Sequence, residues 1–230
     1  VVLFAAGAGG AAADGSAGAA LRLKNAAGAD ALRAGVGQVI SLELNIPGES
    51  WATANIGHLG IRAGAEQHNL PAAAYERSGG PQWTFKEPGH ALVLLAAGPA
   101  AAKGTANAWR QTTRCTKLVL TIDPADGSVP GGDGAGLTAR VGQRIEIVPV
   151  VPPPQLRPGG ELPVRAYFDD STAGGAELRA LGPDGAEQIL TASPSGLAVV
   201  RITGAGRWLV SFDKNAGGTA YRAELVFEVR

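Results

Sequence analysis

The feature that most constrains this chain is a period of two near its C-terminal end. Tyr221, Ala223, Leu225, Phe227 and Val229 occupy one phase, and Arg222, Glu224 and Glu228 the other. Side chains alternate across a strand, so this pattern predicts a strand with one face in a core. Val226 alone breaks the polar phase. Just upstream, Trp208, Val210 and Phe212 alternate with Arg207, Leu209 and Ser211. Two neighbouring strands with aromatic-rich inner faces require a second sheet to cover them.

The same rhythm fills the C-terminal part of the chain. Strands are expected at 144–151, 161–168, 176–181, 187–191, 197–202, 207–213 and 221–229, with Pro183-Asp184-Gly185 as a hairpin turn. That is the strand count of an immunoglobulin-like sandwich, although the Cys–Trp–Cys core of antibody domains is missing. Pro163, on the outward phase of its strand, places the start of that strand at an edge.

Three strong strands precede this unit. In 38–46 the inward residues are Ile40, Leu42, Leu44 and Ile46. His90 to Ala96 is almost wholly apolar and therefore central. In 115–122 the inner face is Thr116, Leu118, Leu120 and Ile122. Leu21 and Leu23 suggest a short strand. Residues 49–70 read as short irregular pieces, and Pro71 to Arg77 as one or two helical turns. The Gly/Asp/Pro-dense stretch after Asp123 reads as a linker. The expected fold is all-β, with two β-sandwich units. Residues 1–20 are a flexible leader, 21–123 an N-terminal β-rich domain, 124–139 a linker and 140–230 an immunoglobulin-like domain.

Composition narrows the function. The formal net charge is zero, which removes the electrostatic case for a nucleic-acid partner. No apolar run reaches the roughly 18 residues of a membrane span. The one cysteine, Cys115, excludes an intrachain disulfide and reads as a buried small hydrophobe. Neither phosphate-binding glycine motifs nor hydrolase or zinc-protease signatures occur.

The candidate metal ligands are His58, His68 and His90, the only imidazoles, all in the first unit. His58 and His68 fall in segments read as irregular. If the fold converges the three, they suit nickel, cobalt, copper or zinc. Glu66 and Glu87 are candidate oxygen ligands or imidazole partners. Trp51, Trp83 and Trp109, with Phe85, are candidates for lining a ligand groove; the rival reading is that they anchor loops. Asp169 and Asp170 are adjacent and point apart on an extended chain, which suits a solvated turn better than an acid–base pair.

Ile145-Glu146-Ile147-Val148-Pro149, the block from Leu156 to Phe168, Gly206 to Val210 and the closing Tyr221 to Val229 together resemble the second domain of the DUF4198 family. Gly35 to Gly48 and Gly89 to Pro99 resemble its first domain more thinly. The resemblance implies a secreted or periplasmic β-rich protein, linked with nickel and cobalt uptake. The family's opening histidine and the histidine before its Pro-Gly turn are replaced here by Val1-Val2-Leu3-Phe4 and Asn45.

The expectation is an exported, non-enzymatic binding or accessory protein. Its partners would be a metal ion or small ligand, and a membrane transporter or another exported protein. The alternatives are a structural or adhesive β-sandwich module without metal, and an enzyme of unrecognised class.

Overall fold

A computed structural model of the chain describes residues 19–25, 27–46, 49–51, 53–64, 66–71, 80–98, 112–128, 130–131 and 134–230. The helical turns expected at 71–77 lie, apart from Pro71, outside the described residues. The strands of the first unit are β1 (Leu21–Lys24), β2 (Arg33–Gly35), β3 (Val39–Leu44), β4 (Ile56–Ala63), β5 (Glu66–Asn69), β6 (Gln82–Thr84), β7 (Gly89–Ala97) and β8 (Thr112–Asp123). Those of the second are β9 (Ile145–Pro149), β10 (Glu161–Phe168), β11 (Ser171–Thr172), β12 (Glu177–Leu181), β13 (Glu187–Thr191), β14 (Leu197–Arg201), β15 (Gly206–Ala216) and β16 (Thr219–Val229). The chain is all-β with sandwich layering, as its alternation predicts.

One nine-stranded sheet runs through both units in the order β13-β12-β15-β16-β8-β7-β4-β5, with β2 also beside β8. The join is the parallel pairing of β16 with β8, from Ala220 opposite Thr112 to Val226 opposite Leu118. A four-stranded sheet (β9, β10, β11, β14) packs on one face of this long sheet, and a three-stranded sheet (β1-β3-β6) on the other. The first core holds Trp208, Val210, Phe212, Leu225 and Phe227 together with Leu92, Leu94, Cys115 and Val119 from the first unit. The second holds Leu21, Leu23, Ile40, Leu42, Leu59, Ile61, Val93, Leu95, Leu118 and Leu120, together with Val226 from the second unit. Strands β7 and β8 therefore bury both faces, which is why β7 reads as continuously apolar.

This layering explains Val226. It is fully buried on the phase expected to face water, because that face of β16 carries the first unit's core. Leu209 on β15 packs against the same core. Glu224 is buried on this phase too. Its carboxylate accepts from the Ala20 amide (2.8 Å), Thr116 Oγ1 (2.7 Å), Arg222 Nε (3.1 Å) and Arg114 Nη1 (3.4 Å). Residues 1–18 of the expected leader lie outside the described residues, but Ala19 and Ala20 are buried beside β1.

The segment 124–139 connects β8 to β9 and is packed along part of its length. A short 3-10 helix, Ala135–Thr138, carries the buried Leu137 into the core shared by both units.

One local reading changes and two others hold. Residues 49–70 contain two regular strands, β4 and β5, so His58 and His68 lie on strands rather than in irregular segments. Gly57 and Gly60 leave gaps in the apolar pattern of β4, and β5 is exposed along its whole length, so neither shows a clean period. The start of β10 lies at an edge, as Pro163 implied: β14 pairs with Glu161–Arg165, but β9 pairs only with Val164–Phe168. Pro163 is tolerated because β9 ends at Pro149, leaving no strand partner there for a missing N–H. Asp169 and Asp170 form the two-residue turn between β10 and β11, both left-handed at φ 46° and 63°.

Candidate functional site

At the free end of the β4–β7 ladder lies an open depression of about 940 Å³. Its walls come from both faces of the long sheet: Ile61 and Phe85 belong to one core, Leu137 to the other. It wraps the end of the sheet rather than entering one face. His68, Trp83 and His90 line it, with Glu66, Glu87, Arg62 and Lys86 as charged neighbours.

β5 is exposed along its whole length, which leaves His68 at the surface. The His68 ring lies 5.3 Å from the Trp83 ring, centroid to centroid, and His68 Nε2 is 3.4 Å from Glu66 Oε2. Trp83 is held on β6 opposite Ile40 and rests on the first unit's core. His90, at the start of β7, is partly buried, and its Nδ1 is buried without a hydrogen-bond partner. Burial, reinforced by the Arg33 charge and opposed by Asp123, holds its pKa below the ordinary histidine value.

The register separates the three histidines. His68 pairs with Ile61 and so shares its face, while His58, three residues before Ile61, faces the other way. His58 and His90 share a face, but His58 lies opposite Ala96, six residues along β7 from His90. At about 3.3 Å per residue that is roughly 20 Å. One ion needs nitrogens at about 2.0–2.1 Å, so His58 and His90 do not share one. Among the described residues, no group of three or more His, Cys, Asp or Glu side chains could hold a metal ion. The structure brings His68 and His90 to one depression and leaves His58 out of it.

The tryptophans divide similarly. Trp83 lines the depression, whereas Trp51 packs against the second core, away from it, beside Gly80. Trp109 lies outside the described residues. Glu66 and Glu87 reach the depression without joining a cluster.

Chemistry-bearing groups elsewhere are engaged in holding the fold. Cys115 is buried in the first core, beside Leu92, Leu94 and Val119, where desolvation pushes its thiol up to about 11; it is no nucleophile at neutral pH. Lys117 and Glu146 form a fully buried ion pair between β8 and β9. Glu146 also accepts from the Val141 amide at 2.8 Å and lies 3.6 Å from Arg140 Nε. Burial lowers the Lys117 pKa, opposed by Glu146. Sequence reasoning about one inner face missed this pair. The signal was Lys117 between Cys115 and Val119, a charge inside an apolar phase. Asp169 receives Arg144 (2.6 Å) and Asp170 receives Arg140 (2.7 Å), so both serve as turn anchors.

The model of the family described as a domain of unknown function, DUF4198, matches residues 52–214, reaching well into both units. No curated protein matches the chain. Among solved structures, the fibronectin(III)-like modules of Clostridium thermocellum CbhA share 9% identity. The match covers 90% of this chain and 94% of that one, with a TM-score of 0.25. A structure from work on Dscam isoform specificity shares 14% identity over 91% of this chain and 51% of that one, with a TM-score of 0.26. Bacteroides uniformis β-glucuronidase 3 shares 11% over 86% and 23%, with a TM-score of 0.24. Scores this low carry no argument about role, and the architecture rests on the strand pairings themselves.

Proposed function

We propose that this chain, which belongs to the DUF4198 family, is a non-catalytic β-sandwich module that works as a rigid exported scaffold. The observation that supports this reading is the shared sheet. Seven consecutive pairs join β16 to β8, and each core draws side chains from both units. Two sandwiches built this way transmit position and load as one body. Export follows the family resemblance of the sequence. The buried thiol and ion pair agree with a structural role for the polar interior.

The test is to cut the chain between 124 and 139 by an inserted protease site and follow both halves. For a scaffold held by the sheet, the halves stay together through native chromatography and unfold in one transition. Halves that separate and melt independently would overturn the reading.

A second reading is favoured by the depression: a small ligand or transition-metal ion held at His68, with Glu66 and Trp83 beside it. In that case the protein is an accessory to nickel or cobalt uptake, with a membrane transporter as partner. Calorimetry with nickel, cobalt, copper and zinc decides it. His68→Ala should abolish binding and His58→Ala should leave it unchanged. No heat with any of the four ions removes this reading.

A further inference from the structure

The outward face of the four-stranded sheet carries a self-complementary pattern. Among the described residues four large hydrophobic side chains are exposed: Val39, Val150, Ile189 and Val199. Two of them, Val150 (47% exposed) and Val199 (38% exposed), lie in one row across this sheet. Pro163 of β10 stands between them, since Val199 is its partner on β14 and the Val150 amide donates to the Pro163 carbonyl at 2.8 Å. Leu162 and Val164, the alternate residues, are fully buried in the core, so Pro163 points outward.

Charge is arranged symmetrically about that row. Glu161 and Arg165 stand two residues to either side of Pro163 on the same face. Among the described residues neither side chain has an ion-pair partner, and Arg165 Nε is buried without a hydrogen bond between Val148 and Leu197. A half-buried guanidinium left unpaired is costly, and an incoming carboxylate relieves it. Arg201, opposite Glu161 on β14, sits exposed at the rim.

We infer that this face binds a second copy of the chain. Take a two-fold axis lying between two such sheets, along the Val150–Pro163–Val199 row. It sets Val150 on Val150, Pro163 on Pro163 and Val199 on Val199. The same rotation reverses β10, so Arg165 of each copy meets Glu161 of the other. The strands remain aligned, as face-to-face sheets prefer. The contact is isologous and closes on itself, which yields a dimer rather than a fibre.

Sedimentation velocity over a broad concentration series tests this, with thermal melts confirming that each variant folds. Wild type should shift from monomer toward dimer as concentration rises. Val199→Lys should abolish the shift. Arg165→Glu and Glu161→Arg should each abolish it by opposing like charges, and the double variant Glu161→Arg/Arg165→Glu should restore it. A wild type that stays monomeric throughout overturns the inference and leaves the face to another occupant. So does a dimer indifferent to these substitutions, or a double reversal that fails to rescue.

Discussion

The two sandwiches close differently around the sheet they share. In the second unit, β9, β10 and β14 lie over β12, β15 and β16, and Trp208, Val210, Phe212, Leu225 and Phe227 are almost wholly buried between them. In the first unit the cover is β1, β3 and β6, strands of only four, six and three residues. That lid stops short of the end of β4 and β7, and the depression lies there. A fully closed sandwich has little room for a ligand. A partly closed one exposes titratable side chains at its rim, where His68, Glu66, Glu87 and His90 are found.

Substitution of matched tryptophans should break or uphold this contrast most clearly. Trp208 is fully buried, stacks 6.5 Å from Phe227 and donates from Nε1 to the Gly204 carbonyl at 3.1 Å. Trp208→Ala should lower unfolding free energy by about 3–5 kcal/mol. Trp83, half-buried against His68, should cost only about 1 kcal/mol as Trp83→Ala. Equal losses in urea titrations would mean that both units close to the same degree.

Next in size is the ion pair at the join. Lys117→Met leaves the Glu146 carboxylate buried without its ammonium partner and should cost about 3 kcal/mol. Lys117→Met/Glu146→Leu should recover most of the loss, since an apolar pair needs no compensation. A double variant as unstable as the single one would show that the pair is worth more than an apolar replacement.

The smallest effects distinguish the open rim from the closed core by pH. Below about 6.5 the unfolded chain protonates His90 while the folded chain resists, so the unfolded state binds more protons. Stability should therefore fall on acidification toward the lowered folded pKa, by at most about 1.4 kcal/mol per pH unit. Cys115 behaves oppositely. Above its ordinary value of 9.0 the unfolded chain loses the thiol proton, and the folded chain keeps it up to about 11. Stability should fall as pH rises across that window. Urea midpoints against pH should flatten on the acid side in His90→Gln and on the alkaline side in Cys115→Val. An unchanged acid limb in His90→Gln would place His90 in water rather than in the partly closed rim.

How legible each region was follows from how many of its faces are buried. β15 and β16 show a strict period because one phase is apolar over Trp208–Phe212 and Tyr221–Val229. Their turn was not singled out in the sequence, although Gly217 and Gly218 both have positive φ, at 57° and 77°, as a two-residue hairpin requires. β5 was missed because an edge strand exposed along its length has no apolar phase at all. The candidate site was half legible. His68, His90 and Trp83 were identifiable by chemistry, but residue type alone does not report that one strand turns His58 to the opposite face from His68.

The sequence by itself determined the elements: the all-β class, the phase of the strong strands, the burial of Trp208 and Phe227, and the membership of the DUF4198 family. These depend on neighbours along the chain, two residues apart, and on turn residues. Only the tertiary structure decided that β16 pairs with β8, that Val226 and Glu224 lie in an interior, and that Lys117 meets Glu146. Strand pairing across about 100 residues is set by which edges and faces remain to be covered once each hairpin has formed. Alternation within a strand records that one face is buried; it carries no record of what covers the other.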